Sequence, residues 1–123
     1  ALKGLQGEEQ PRWVKMQLSG TSPAGRAGHS MVAIGNLLVA FGGHGDEGWI
    51  SRKDVYFNDV VVLNRDTVKW SRGAIDEPDL PCPSARAYHT LVGLDEGRLL
   101  LFGGFNGQTT FGDTWWLDPG NPE

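Results

Sequence analysis

The sequence predicts an all-β chain built from one unit used twice, and three observations predict it. Glycine and proline number 18 and 7 in 123 residues, too many for helices and suited to short strands joined by turns. Apolar runs are short and end at turn residues, and no segment places apolar residues at helical spacing between caps. Most informative, Leu38-Val39-Ala40-Phe41-Gly42-Gly43 recurs as Leu99-Leu100-Leu101-Phe102-Gly103-Gly104. Around it, Pro23-Ala24-Gly25-Arg26-Ala27-Gly28-His29-Ser30 is matched by Pro83-Ser84-Ala85-Arg86-Ala87-Tyr88-His89-Thr90, and Phe57-Asn58-Asp59-Val60-Val61-Val62-Leu63 by Phe111-Gly112-Asp113-Thr114-Trp115-Trp116-Leu117. Repetition at this spacing marks an array of one supersecondary unit, whose function is read from its surface.

The elements follow in order. Residues 1–11 are a polar, flexible lead-in. The segment 12–18 alternates around Trp13-Val14-Lys15-Met16-Gln17-Leu18, which predicts a strand with one buried face. Ser19 to Gly28 is turn chemistry. Ser30–Ile34 and Leu37–Phe41 are strands joined by Gly35-Asn36, a two-residue hairpin link in which positive φ is least penalised. Their near-continuous apolar character predicts sheets covered on both faces, with Phe41 and Phe102 packed between them. The pair Gly42-Gly43 permits close backbone approach or positive φ. A loop over 44–57 follows, then a third strand from Asp59 to Asn64, a turn at Arg65-Asp66-Thr67, and a fourth strand from Val68 to Arg72 carrying Trp70. After a Pro-rich connection over 71–87 the cycle restarts: Tyr88 to Leu94, the link Asp95-Glu96-Gly97, Arg98 to Phe102, and Asp113 to Asp118. Residues 119–123 are a tail.

Composition excludes several function classes. The net charge is −4, and the only adjacent basic residues are Arg52-Lys53, a poor footprint for nucleic acid or an anionic membrane. Apolar stretches fall far short of the about 20 residues needed to span a bilayer, and no signal sequence opens the chain. Cys82, the single cysteine, lies between Pro81 and Pro83 and reads as an incidental loop thiol. With no intrachain disulfide possible, an intracellular, cytoplasmic residence is expected.

The residues with chemical potential are weighed in turn. His29 and His89 stand at equivalent repeat positions, so they read as a structural signature, each hydrogen-bonding a loop carbonyl at a strand start. No metal-ligand spacing such as Cys-x-x-Cys or His-x-His exists, so no metal and no cofactor is expected. Arg26 and Arg86 also repeat. Their guanidinium forks could bind a partner's carboxylates, or they could bond loop carbonyls or Asp59 and Asp113 within the fold, and the repeated frame favours the second. Gly42-Gly43-His44-Gly45 precedes no helix, and without a helix N-terminus it is no phosphate cradle. The 44–57 loop has twice the length of its counterpart, 105–111. It carries His44, Trp49, Arg52, Tyr56 and Phe57, residue types that dominate interface energetics. His44, Trp49, Arg52 and Tyr56, with Asn106 from the shorter loop, form the candidate partner-binding set, while Phe57 matches Phe111 and reads as structural. The acidic run Asp76-Glu77-Pro78-Asp79 is a lesser exposed candidate.

Counting offsets fixes the unit: Trp13 to Trp70 spans 57 residues, His29 to His89 60, Gly43 to Gly104 61, and Asp59 to Asp113 54. A diglycine after an apolar strand, an Asp-apolar strand and a spaced tryptophan resemble the kelch repeat. The Pro-x-x-Arg-x-x-His-Ser/Thr prelude resembles that family's long-repeat branch, and the similarity covers residues 12–118. The resemblance implies four-stranded β-propeller blades: blade one over about 28–72, a three-stranded partial blade two over about 88–118, and 12–18 as an orphan outer strand. It makes Gly42, Gly43, Gly103 and Gly104 the diglycines, with Trp13 and Trp70 the repeat tryptophans. The third-strand tyrosine common in the family is replaced by Val62 and Trp116. Propeller enzymes are a poor match: neither a Tyr-Cys copper centre nor a Glu-x-x-x-Asp-x-x-x-His iron motif can be assembled. The resemblance therefore implies a non-catalytic protein-interaction scaffold, with two alternatives: a portion of a kelch enzyme whose catalytic residues lie on other blades, or a structural component of a large assembly. Two blades cannot close a ring. The chain is expected either to be part of a longer propeller or to join two further copies in a six-bladed trimer.

Overall fold

The computed structural model describes residues 10–20, 22–46, 54–72, 81–95 and 97–118. No helix occurs among them, and their strands are β1 (Ser19–Gly20), β2 (Ser30–Ile34), β3 (Leu37–Phe41), β4 (His44–Asp46), β5 (Asp54–Tyr56), β6 (Val60–Asn64), β7 (Lys69–Arg72), β8 (Thr90–Gly93), β9 (Leu99–Phe102) and β10 (Thr114–Leu117). They form a five-stranded sheet ordered β1-β7-β6-β3-β2, a three-stranded sheet β10-β9-β8, and the two-stranded hairpin β4-β5.

The first unit is an antiparallel meander, with Ile34 opposite Leu37 across the Gly35-Asn36 link and Gly35 at φ 57°. The second repeats it, with Leu91 opposite Leu101 and Trp115 opposite the same Leu101. Because strand side chains alternate between faces, one face of the first sheet presents Val32, Ile34, Leu37, Val39, Phe41, Val60 and Val62. Onto it pack Leu91, Leu99, Leu101, Trp115 and Leu117 of the second, forming the shared core.

Each unit is braced in the same way. The backbone amide of Gly42 donates to Asp59 O at 3.3 Å and that of Gly103 to Asp113 O at 3.4 Å. The amides of Phe57 and Phe111 donate to the second glycine carbonyl, Gly43 O at 2.9 Å and Gly104 O at 2.8 Å. All four glycines have positive φ. At Gly42 the close approach is decisive, since a Cβ there would lie 2.7 Å from Arg86 O and 2.8 Å from His89 Cε1.

Three expectations are corrected. Residues 12–18 form no strand: only Ser19–Gly20 pairs, in parallel with β7, and Trp13 is fully exposed. Alternation supplies a face, but a strand also needs a ladder partner, and 12–18 has none among the described residues. The 44–57 segment is not wholly loop, because its described ends pair as β4 and β5. Finally, Phe41 is buried but Phe102 is 52% exposed, since the face of the second sheet bearing Phe102, Val92 and Trp116 is uncovered. Residues 119–123 and the acidic run lie outside the described residues.

Candidate interaction rim

The end of the sheets where β3 and β9 run into their diglycines gathers most of the candidate residues. The β4-β5 hairpin is pinned there by paired hydrogen bonds of 2.8 Å between Ala27 and His44. In the second unit Ala87 and Phe105 make the equivalent pair at 2.9 Å. The two loops meet where Tyr56 packs over Gly107, at which a Cβ would lie 3.5 Å from the tyrosine ring.

Three rings line this rim. His44 stacks on Tyr56 with centroids 5.5 Å apart, and lies against Tyr88 at 5.4 Å. His44 Nε2 is also 2.8 Å from the Tyr88 hydroxyl. Tyr88 is 63% exposed and occupies the left-handed region at φ 61°. Its counterpart in the first unit is Gly28, at φ 69°. An L-residue there costs about 1–2 kcal/mol, so Tyr88 holds a glycine's conformation at a cost in strain. Its amide donates to Gly28 O at 2.8 Å, and Gly28 leaves room for the ring, since a Cβ would meet Tyr88 Cε1 at 3.0 Å. Tyr88 was not among the sequence-derived candidates, although its alignment with Gly28 was visible there. Asn106 is on the same rim, its side-chain oxygen accepting from the amides of Gln108 and Thr109 at 2.9 and 2.7 Å and so fixing its own turn. Trp49 and Arg52 lie outside the described residues.

The repeated arginines face inward, onto the carboxylates that the repeated frame favours over a partner's. Arg86 has no exposed surface. It donates to Gly103 O at 3.0 Å, to the two Asp113 oxygens at 2.6 and 2.9 Å, and to Ser84 O at 3.0 Å, with the Phe111 ring 4.1 Å away. Arg26 repeats this with Gly42 O at 3.0 Å, Asp59 at 2.7 and 3.1 Å, and Phe57 at 4.3 Å. The bidentate fork selects a carboxylate, and each unit supplies its own. Bonds from Arg86 and from Trp115 Nε1 hold the Asp113 carboxyl far below its ordinary range.

His89 joins the units. Its Nε2 is 2.7 Å from Ser30 Oγ, and its ring meets Phe41 edge-on at 5.3 Å. The sequence suggested a loop carbonyl; the partner found is a hydroxyl on the neighbouring sheet. Burial lowers its pKa from 6.5, with further lowering by Arg86 and His29 and an opposing backbone hydrogen bond at Phe41. Its repeat partner His29 is exposed. At the opposite rim a cleft of about 450 Å³ lies between the turns, lined by Ile34, Gly35, Gly93, Leu94, Asp95 and Gly97.

The family model for the KLHDC2/KLHL20/DRC7 Kelch-repeats domain matches residues 7–123. This chain belongs to the kelch-repeat family. Its two sheets are therefore kelch blades, the second with three described strands. Kelch relatives span varied proteins. The chain is 34% identical over 106 residues to the dynein alpha chain of the flagellar outer arm of Chlamydomonas reinhardtii, covering 84% of this chain and 2% of that protein. It is 33% identical over 113 residues to tip elongation aberrant protein 1 of Schizosaccharomyces pombe, covering 87% and 9%. It is 32% identical over 104 residues to Kelch domain-containing protein 2 of Bos taurus, covering 84% and 23%. The chain thus spans less than a quarter of the length of these relatives. No helix among the described residues is long and apolar enough to cross a membrane.

Proposed function

We propose that the chain is a non-catalytic scaffold for protein partners, which it engages through the rim formed by the β4-β5 hairpin and the 105–111 loop. The observation that carries this reading is Tyr88, held in a strained glycine conformation with its ring exposed beside His44 and Tyr56. Strain kept at a surface position is a mark of function, and aromatic residues are rich in binding energy. Among the described residues, the repeated ionisable side chains are occupied within the fold: Arg26 with Asp59, Arg86 with Asp113, and His89 with Ser30. Blades packed sheet on sheet hold the loops at fixed spacing and so reduce the ordering cost of binding. The setting is intracellular and cytoplasmic, in keeping with Cys82 as an exposed free thiol. Affinity capture with Tyr56→Ala and Tyr88→Ala tests the rim: both variants should fold and lose partners held by the parent chain. Undiminished recovery of every partner would overturn the reading.

A further inference from the structure

We propose that Asn106 is a site of spontaneous covalent conversion, its side-chain amide giving way to aspartate and isoaspartate through a cyclic imide with Gly107. The chemistry stands on the 105–111 loop alone, and its consequence for partners rests on the rim reading above.

Asn106-Gly107 is the one Asn-Gly pair in the chain; the other asparagines precede Leu37, Asp59, Arg65 and Pro122. An asparagine side chain can close a five-membered ring on the next backbone nitrogen, and glycine, lacking a Cβ, hinders that closure least. Three features of the loop favour it. The amides of Gln108 and Thr109 donate to Asn106 Oδ1 at 2.9 and 2.7 Å, so the side chain reaches forward past the Gly107 nitrogen. Those two donors also aim at the oxygen on which negative charge develops during attack, the arrangement that stabilises an oxyanion. The Gly107 amide, which must give up its proton to attack, makes no hydrogen bond among the described residues. Gly107 is exposed, at φ 96°. Finally, the turn is held closed. The Asn106 amide donates to Thr109 O at 3.2 Å, and Phe105 pairs with both Ala87 and Thr110. The reacting groups are thus kept in place before the step, which lowers its entropic cost.

The step balances without oxidant or reductant. The Gly107 nitrogen attacks Asn106 Cγ, a C–N bond forms, and the Cγ–Nδ2 bond breaks. The side-chain nitrogen leaves as ammonia, taking the proton that Gly107 gave up. Water then adds to one of the two imide carbonyls, its hydroxyl going to carbon and its proton to nitrogen as that C–N bond opens. Opening at Cγ gives aspartate in an ordinary main chain. Opening at the Asn106 backbone carbonyl gives isoaspartate, in which the main chain runs through Cγ and is longer by one carbon.

The two products act differently on the rim. Aspartate keeps an oxygen to accept from Gln108 and Thr109, so the turn survives and only a charge is added. Isoaspartate must fit its additional carbon between the pinned Phe105 and Thr110, and Gly107 lies between them. Tyr56 packs over Gly107, stacks on His44, and His44 in turn holds the Tyr88 hydroxyl. A shift at Gly107 therefore reaches all three rings, and partner capture falls as isoaspartate accumulates while the blades stay folded.

The test incubates the whole folded chain at mildly alkaline pH. Mass spectrometry of its peptides locates each amide lost, and methyl transfer by an isoaspartyl methyltransferase counts isoaspartate. Asn106 should convert ahead of Asn36, Asn58 and Asn64, and at least as fast as in a peptide spanning 103–112. Capture should fall in proportion to isoaspartate, with the circular dichroism unchanged, and Asn106→Ser carried through the same incubation should show no such decline. An Asn106 that keeps its amide in the folded chain while the peptide converts means that the turn locks the side chain, and overturns the proposal. Conversion with capture undiminished, where Tyr88→Ala still loses partners, overturns the link from loop to rim and spares the rim reading. Conversion where Tyr56→Ala and Tyr88→Ala both keep every partner overturns the rim reading and leaves the chemistry standing.

Discussion

Replacing Arg86 by Met keeps an apolar stem and deletes the guanidinium. Gly103 O, Ser84 O and both Asp113 oxygens then lose donors. The two ends of the bridge differ. Arg86 and the Gly103 carbonyl are buried, whereas the Asp113 side chain is 42% exposed and can recover water. Removing one partner of a buried pair costs about 3–5 kcal/mol. The wet carboxylate places this loss at the low end, about 3 kcal/mol. With a urea dependence of about 1.5 kcal/mol per molar, the unfolding midpoint should fall by about 2 M. Arg86→Lys keeps the charge but cannot reproduce the planar fork, and about half the loss is expected. Urea titration followed by tryptophan fluorescence reads both. Midpoints within about 0.5 M of the parent, less than about 1 kcal/mol at that slope, would refute the reasoning and return Arg86 to the pool of partner-facing residues.

Other expectations follow from the same contacts. Tyr88→Gly relieves about 1–2 kcal/mol of left-handed strain but loses the His44 contacts and adds chain entropy; stability should stay within about 1 kcal/mol while partner capture is lost, and a large melting shift with intact capture would make Tyr88 merely structural. Gly42→Ala and Gly103→Ala both place a side chain at positive φ, yet only Gly42 faces backbone at 2.7 Å, the nearest atom at Gly103 being 3.6 Å away. Calorimetry should therefore show Gly42→Ala lowering the melting temperature by several degrees more, and equal shifts would contradict the blade contact. Acid should weaken the fold in two stages. Folded His89 resists a proton that the unfolded chain takes near pH 6.5, so stability declines as pH falls below that value. Folded Asp113 likewise resists protonation at its ordinary 3.8, so a second decline begins near that pH. His89→Gln should remove the first stage only, as read by urea midpoints across pH.

The strands most legible in the sequence were β2 and β3, where apolar runs flank a Gly-Asn link and local chemistry suffices. The β4-β5 hairpin was missed because His44-Gly45-Asp46 and Asp54-Val55-Tyr56 carry no apolar alternation. Their pairing is anchored by a distant residue, Ala27. Segment 12–18 shows the converse, with ample alternation and no ladder partner within the described chain. Phe102 repeats Phe41 letter for letter, so no local pattern could show that one would be covered and the other open. That difference lies in which sheet faces another. The repeat placed both arginines with Asp59 and Asp113 as their carboxylates; what it could not show is the ring of Phe57 or Phe111 stacked on each guanidinium. Tyr88 was legible in principle, as the one bulky residue aligned with a glycine in the prelude, a mismatch that becomes meaningful once φ is known.

The rim claim is tested most directly by photo-crosslinking. A photoreactive residue is placed in turn at Tyr88, Tyr56 and Asp66, the last on the opposite rim where it accepts a hydrogen bond from Asn36. Protein adducts should form from positions 88 and 56 and be absent from 66. Adducts from 66 with none from 88 or 56 would place the binding surface on the other rim and contradict the function proposed.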